Sequence, residues 1–575
     1  MNGGEIIART LHNHGVEFVF TLIGGHVSPV LVGCEKLGIR VIDVRHEANA
    51  VFAADAVSRL SGIPGVAVVT AGPGLTNTIT ALKNAQMAQS PLVLIGGATA
   101  TILKGRGALQ DIDQLAIIKS CVKRIYSIRK ISELPDAMNQ AFRIAREGVP
   151  GPVFIETPVD LLYPEDVVRE WYAASTPKGS SLQSRALRSY IQFHLHRQFS
   201  GKSGLAIGEP LPVSEMPASS GSIQTAIKAI QAANRPLLLI GSQALLHPED
   251  VDRLVAAVEL LQIPVYLAGM ARGLLGAHHP LQLRHKRSQS LASADLVILA
   301  GLPNDFRLNY GAQIKKHAYH IGVNRSKKDL TQNKRPDLAI QADPGNFLIE
   351  LAKHFPESQN GWPVWLEELR QQDNQRNEDI RSRKPAGRLI DPVDFFLEMD
   401  RHLSTDSILV VDGGDFVATS AYTLSPRQPL SWLDPGVFGT LGVGAGFALG
   451  AKLLRPSADV YIIYGDGSAG YSLMEYDTFV RHKVPIISII GNDACWSQIY
   501  RDQVDILGSD VGCMLDRSDY EKIGPALGAE GKRIARKSDI ARVLKDSRTL
   551  ARKGKPVIVN VHIGRSDFRK GSISI

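Results

Sequence analysis

The sequence predicts an α/β protein of three domains, each built on a parallel sheet. Three observations carry that expectation. The chain has 575 residues, which at roughly 150 residues per domain suggests three or four domains. Short β-rich runs alternate with helical patterns in three separate stretches, as in a sheet covered on both faces. Apolar residues make up 44% and charged residues 21%, the balance of an ordinary globular chain, so disordered and fibrous classes are set aside.

The first domain spans residues 1–165. Its buried strands are expected at Val16–Leu22, Val41–Val44, Val66–Thr70, Leu92–Gly96 and Val153–Glu156. Residues 166–221 are rich in Ser, Gly, Pro and basic side chains and are expected to be a linker. Inside it Leu187, Tyr190, Ile191, His194, Leu195 and Phe199 recur at helical spacing among Arg185, Arg188, His196, Arg197 and Lys202. A central domain follows over 222–355, with strands at Pro236–Gly241, Val265–Leu267, Leu296–Ala300 and His320–Val323. The polar segment 356–388 is expected to be an exposed helix and linker. The last domain, 389–575, has strands at Ile408–Val411, Val460–Tyr464, Ile486–Ile490 and Val557–Val561. Kinship between the first and last domains is left open, since the residues alone do not establish it.

The formal charge of +8 is a mild bias that suits an anionic ligand or membrane surface and does not call for nucleic acid. Cys34, Cys121, Cys495 and Cys513 lie far apart, without disulfide or zinc spacing, as in a reducing compartment. No apolar run is long enough to span a bilayer, and the N-terminus has no apolar core of a signal peptide. The C-terminal Ser-Ile-Ser-Ile is no retention or prenylation signal.

Chemistry is concentrated at strand ends. Val460–Tyr464 runs into Gly465-Asp466-Gly467-Ser468-Ala469-Gly470, and the next strand ends in Gly491-Asn492-Asp493. Glycine loops between strand and helix let backbone N–H groups approach phosphate oxygens. Three readings of this loop stand open on its residues alone. It matches Gly-x-Gly-x-x-Gly, with Asp493 as a ribose-binding acid. Alternatively, Asp466 with Asn492 or Asp493 supplies oxygens to Mg²⁺ beside a diphosphate. The third reading is a plain helix cap and turn. In the first domain Val41–Val44 leads through Arg45-His46 to Glu47 at a helix start, followed by Ala71-Gly72-Pro73-Gly74-Leu75-Thr76-Asn77.

Arg-His-Glu, Gly-Pro-Gly, Gly-Asp-Gly and Asn-Asp, in this order, resemble the thiamine-diphosphate enzymes, in the group of acetolactate synthases, benzaldehyde lyases and 2-hydroxyacyl-CoA lyases. Asp466 and Asn492 lie 26 residues apart, the interval of the long cofactor motif in that family. The resemblance covers nearly the whole chain, and it implies the thiamine-diphosphate-binding fold. Residues 1–165 would be the pyrimidine-binding domain and 389–575 the diphosphate-binding domain.

The resemblance also implies roles. Glu47 is the cofactor activator, hydrogen-bonded to the aminopyrimidine. Gly25, Pro73 and Asn77 are cofactor contacts. Leu441 props the cofactor into its bent form, and the Gly439 carbonyl takes the 4′-amino hydrogen bond. Gly414, Asp415, Gly465, Gly467 and Ser468 serve the diphosphate end. Asp466 and Asp493 ligate Mg²⁺, with Asn492 a further oxygen and Cys495 contributing its carbonyl. Many relatives have Asn where this chain has Asp493. Gln110 faces the substrate carbonyl or is an ordinary loop residue. Trp496 walls the substrate channel or is a core aromatic. The segment Gly301–Arg307 only partly resembles the flavin or ADP patterns of some relatives, and no flavin is assigned.

The implied reaction is cleavage of a 2-hydroxyacyl-CoA, long-chain by a narrower resemblance to the lyases, to formyl-CoA and an aldehyde one carbon shorter. The near alternative is acetolactate-type carboligation of 2-oxo acids. A nicotinamide dehydrogenase and an inactive scaffold are the distant ones. The resemblance further implies a CoA thioester substrate, a homodimer or homotetramer, and the endoplasmic reticulum membrane, with the cytoplasm as alternative. The basic stretch Arg185–Lys202 either contacts an anionic membrane or packs on the protein's own surface.

Overall fold

A computed structural model describes residues 1–174, 176, 181–202, 204–356, 361–384 and 387–570. The tetrapeptide 572–575 and parts of the segments 166–221 and 356–388 lie outside the described residues. The chain forms two compact units: Met1–Arg59 with Ile63–Ser214, and the residues from Glu215 onward with Leu60–Gly62.

Three six-stranded sheets, parallel throughout, organise the chain. The first contains β1 (Phe18–Leu22), β2 (Arg40–Asp43), β3 (Gly65–Val69), β4 (Leu92–Ala98), β5 (Arg124–Ser127) and β6 (Pro152–Pro158), in the order β2-β1-β3-β4-β6-β5. β3, β4 and β6 are buried along their whole length, which is why they read as continuous apolar runs. The helix Glu47–Ser61 covers the sheet with small residues: Ala50, Ala53, Ala54 and Ala56 are fully buried.

The second unit holds two sheets. The central one contains β7 (Pro236–Ile240), β8 (Val265–Leu267), β9 (Gln282–Leu283), β10 (Leu296–Ala300), β11 (Tyr319–Asn324) and β12 (Leu338–Gln341), ordered β12-β11-β10-β7-β8-β9. That is the doubly wound order of dinucleotide-binding sheets. The C-terminal sheet contains β13 (Ile408–Val411), β14 (Trp432–Leu433), β15 (Val460–Gly465), β16 (Ile487–Asn492), β17 (Glu530–Ile534) and β18 (Val557–His562), ordered β14-β13-β15-β16-β18-β17. Counted within its own sheet, this repeats the N-terminal order strand for strand. The kinship of the first and last domains, invisible in the residues, is a topological one.

The sequence patterns miss β5, β9, β12, β14 and β17, and each is an edge strand. β9 and β14 are only two residues long, too short for a pattern, and the longer edge strands are covered less and need no continuous apolar run. β12 shows one buried residue in four and β17 one in five. Where a linker is expected after residue 165, the described residues form the helices Glu165–Ala174 and Leu182–Gln198, and Val168, Tyr172, Leu195 and Phe199 join the N-terminal core. The expected exposed helix near 370 is Pro363–Arg381, with Trp365, Leu369, Asp373 and Ile380 buried on one side. Among the described residues no helix is long and apolar enough to cross a membrane.

Candidate functional site

In the N-terminal unit the chemistry gathers at the carboxyl ends of β1–β4, where open α/β sheets bind ligands. Glu47 is the first residue of its helix and only 6% exposed. Its Oε2 accepts from Asn77 Nδ2 at 2.9 Å. Asn77 closes the short helix Pro73–Thr76, so the Gly-Pro-Gly turn and Glu47 are one construction. Gly74 lies in the same turn, where an added Cβ would stand 3.8 Å from Glu47 Oε1. Pro73 is exposed at the mouth of this turn. The Gly25 carbonyl accepts from the Tyr163 hydroxyl at 2.9 Å.

Gln110 sits beside the turn. A Cβ at Gly72 would meet the Gln110 carbonyl at 2.9 Å, so only glycine lets the two loops touch. Gln114 was not foreseen. It accepts from Gly72 N at 3.0 Å and donates to the Gly97 carbonyl and to Glu156 Oε1, linking the ends of β3, β4 and β6. His26 Nδ1 lies 3.0 Å from Thr70 Oγ1, and burial lowers the His26 pKa. Neither Gln114 nor His26 carries a motif signal, because their partners are distant in sequence.

In the second unit β13, β15 and β16 are neighbours, and the loops that leave them converge. Asp466 opens the four-residue helix Asp466–Ala469. Its Oδ1 accepts from Gly467 N at 2.9 Å and its Oδ2 from Ala494 N at 2.7 Å. Burial outweighs these bonds and raises its pKa. Asp493 accepts from the Ser497 hydroxyl. Burial, reinforced by the charges of Asp466 and Asp415, pushes its carboxyl up to about 7. Asp466 is buried and Asp493 half-buried, and two carboxylates that repel each other suit a hard divalent cation between them. Among the described residues no three His, Cys, Asp or Glu side chains converge as ligands. Mg²⁺ fits such a place, since it usually takes one or two carboxylates and fills its shell with other oxygens, including those of substrate phosphates.

The other expected residues have partners of their own within the unit. Asn492 is fully buried and gives its amide to the Ser518 carbonyl at 2.9 Å and Asn560 Oδ1 at 3.2 Å, so its side chain braces the end of β16. The Ser468 hydroxyl bonds back to Gly465 N and O within its own loop. Asp415 pairs with Arg501, both 11% exposed. Gly414, at φ +110°, starts the helix Asp415–Thr423. Ala494 takes a left-handed backbone, φ +58°, and Cys495 is buried and bridges to Met514. The Trp496 ring lies over the glycine loop. A Cβ on Gly467 would stand 2.4 Å from Trp496 Cη2. Gly467→Ala is therefore expected to displace the ring, at a cost of about 1–3 kcal/mol. A shift in tryptophan emission together with a lower melting temperature would show it; an unchanged spectrum would refute the contact.

Asp412 is the residue that the motifs overlooked. It follows the apolar run Ile408–Val411 directly, and a charge at the end of a buried strand is the signal that could have found it. Its carboxylate accepts from Gly442 N at 2.9 Å and Gly444 N at 2.7 Å. Those bonds hold the turn containing Gly439, at φ +63°, and Leu441, whose Cδ2 would lie 2.1 Å from a Cβ on Gly413. Burial drives the Asp412 carboxyl up to about 7. A carboxyl raised above its unfolded value of about 4 stabilises the fold fully below pH ~4, and that contribution is lost as the pH rises through ~7. The Asp412 contribution therefore lowers the melting temperature at pH ~8 relative to pH ~5, against the buried histidines, whose lowered pKa values act in the opposite sense. Between pH ~5 and ~8, melted without Mg²⁺, wild type should lose more, or gain less, than Asp412→Asn, because Asp493 and the histidines titrate equally in both proteins. An equal change in the two proteins would contradict the assignment.

The glycine loop does not serve a dinucleotide. Its helix has only four residues, and it follows β15, the third strand of its sheet in chain order, where the dinucleotide fingerprint follows the first. Comparison with known proteins decides the matter. "Thiamine pyrophosphate enzyme, N-terminal TPP binding domain" matches residues 1–117. The central domain of the same enzymes matches 223–351, and their C-terminal TPP binding domain matches 412–561.

The chain belongs to the thiamine pyrophosphate enzyme family.

Within this family it is similar over its full length to named relatives. Human 2-hydroxyacyl-CoA lyase 2 is 49% identical over 100% of this chain and 92% of its own. The Caenorhabditis elegans 2-hydroxyacyl-CoA lyase 2 is 48% identical over 100% of this chain and 91% of its own. The acetolactate synthase large subunit IlvG of Mycobacterium tuberculosis is 33% identical over 98% of this chain and 95% of its own. The family carries thiamine diphosphate, and the two TPP-binding domains are those that hold Glu47 and Asp466.

Proposed function

We propose that this thiamine pyrophosphate enzyme is a carbon–carbon lyase that cleaves 2-hydroxyacyl-CoA thioesters, long-chain ones among them, to formyl-CoA and an aldehyde one carbon shorter. The observation that carries the reading is the full-length likeness to 2-hydroxyacyl-CoA lyases at 49% identity, against 33% for an acetolactate synthase.

The bound cofactor supplies the carbon nucleophile that attacks a carbonyl and stabilises the charge left by C–C cleavage. The protein binds, bends and protonates it. Glu47, buried and held by Asn77, holds or yields a proton at the aminopyrimidine nitrogen. Leu441, fixed through Asp412, supports the bent cofactor, and the Gly439 carbonyl receives its amino group. Asp466 and Asp493 hold Mg²⁺ with the Cys495 carbonyl, and Asn492, whose amide nitrogen braces the end of β16, keeps its Oδ1 as a further oxygen. Gly414, Gly467 and Ser468 line the diphosphate end, and Asp415 acts through Arg501. Gln110 faces the substrate carbonyl, where an amide donor would stabilise developing negative charge. Trp496 walls the channel.

Each unit carries its own part of the chemistry, and we infer a homodimer or a dimer of dimers. Exposed apolar residues around both support it: Leu109 and Ile112 near Gln110, and Tyr471, Met474 and Ile499 near the glycine loop. Sedimentation at dilute concentration tests it; an active monomer would remove it. We place the protein at the endoplasmic reticulum membrane, to be checked by fractionating cells that express it.

The decisive assay supplies Mg²⁺, thiamine diphosphate and a long-chain 2-hydroxyacyl-CoA, and measures the shortened aldehyde. Aldehyde release establishes the lyase. Cofactor binding without aldehyde, but with condensation of pyruvate, would transfer the chain to the carboligases.

A further inference from the structure

The helix Leu182–Gln198 has two faces of different chemistry. Its inner side is fixed to the N-terminal unit. Leu195 and the following Phe199 enter the core. Gln198 Nε2 donates to Asp160 Oδ2 at 2.7 Å and to Thr101 Oγ1 at 2.6 Å. His194 Nε2 lies 2.7 Å from the same Thr101 hydroxyl. Asp160, itself buried, also accepts from the Tyr172 hydroxyl at 2.7 Å. The orientation of the helix is therefore determined by buried polar contacts, and its outer side is held outward.

That outer side is apolar and cationic together. Leu182 is 86% exposed, Tyr190 51% and Phe193 66%. Their spacing, with Ala186 between, puts them on one side of the helix. Arg185, His196 and Arg197 flank them and are exposed. Residues 182–198 contain three arginines and neither Asp nor Glu. Single exposed apolar residues need no account, but a row of them held on one fixed face marks a contact surface.

The charge decides what covers it. A two-fold contact between copies centred on this helix would set arginines against arginines, with no carboxylate in the helix to pair them. An anionic lipid surface offers the opposite charge and an apolar layer for the side chains between. Aromatic rings settle at that boundary, and arginine stems lie along it with their heads in the phosphate layer.

We propose that the helix Leu182–Gln198 docks this protein on anionic membrane surfaces, with Leu182, Tyr190 and Phe193 entering the lipid and Arg185 and Arg197 meeting the headgroups. The proposal does not depend on the reaction catalysed. Flotation of the full chain with vesicles tests it, using phosphatidylcholine alone and an equal mixture with phosphatidylserine. The wild type is expected to float with the mixed vesicles and little with the neutral ones. Tyr190→Glu/Phe193→Glu should lower the bound fraction about tenfold or more, and Arg185→Gln/Arg197→Gln should remove the preference for phosphatidylserine. Both variants should keep the melting temperature and the elution volume of the wild type. No flotation of the wild type, or equal flotation of the glutamate variant, overturns the proposal. So does a change in the elution volume of that variant, which would make this face a contact between copies.

Discussion

Replacing Glu47 by Gln is expected to lower aldehyde formation by about 10²–10⁴-fold, the range over which a positioned proton-transfer group contributes. The substitution is nearly isosteric. The amide oxygen still accepts from Asn77, which donates to Glu47 at 2.9 Å in the wild type, so the local fold should survive. What is lost is the ability to hold and release a proton at the aminopyrimidine. Cofactor retention, measured by gel filtration of the loaded protein, should therefore stay close to wild type while turnover collapses. If both fell together, Glu47 would be a binding residue and the assigned role would be wrong. Asn77→Ala makes a graded companion. It leaves Glu47 in place but unheld, and an intermediate loss is expected.

The second large effect is expected at Asp466. Asp466→Ala removes a carboxylate and also strips the Gly467 and Ala494 amides of their acceptor. Each buried donor left unsatisfied costs about 1–3 kcal/mol, so the loop should loosen as well as lose its charge. Activity should require at least about a hundredfold more Mg²⁺, a loss that removal of mere supporting groups around metals can already reach. Asp493→Asn is the informative contrast. It keeps an oxygen ligand and removes one of two mutually repelling charges, so a far smaller change is expected. A Mg²⁺ titration of activity separates the two. An unchanged Mg²⁺ requirement in Asp466→Ala would sink the metal assignment and leave Asp466 as a loop cap.

The sequence by itself determined the class of the fold, the number of sheets and the neighbourhood of the chemistry. Parallel strands buried on both faces must be apolar throughout, so β3, β4, β7, β10, β13 and β15 announced themselves. Strand ends carrying Glu47, Gly72–Asn77 and Gly465–Ser468 were equally legible, because glycine, proline and isolated charge in an apolar run are local signals. The tertiary structure alone decided the rest. Edge strands such as β12 and β17 are covered on one side only and bear no pattern. The shared strand order of the first and last sheets depends on which strand lies beside which, and no residue type encodes that. The division of labour at the end of β16 also came only with the fold. Asn492 and Asp493 are adjacent and both supply oxygens, yet successive strand residues point to opposite sides. One therefore turned to Asn560 and Ser518, and the other to Ser497 and the charge of Asp466. Asp412 acquired its meaning in the same way, since the Gly442 and Gly444 amides that it binds stand some thirty residues along the chain.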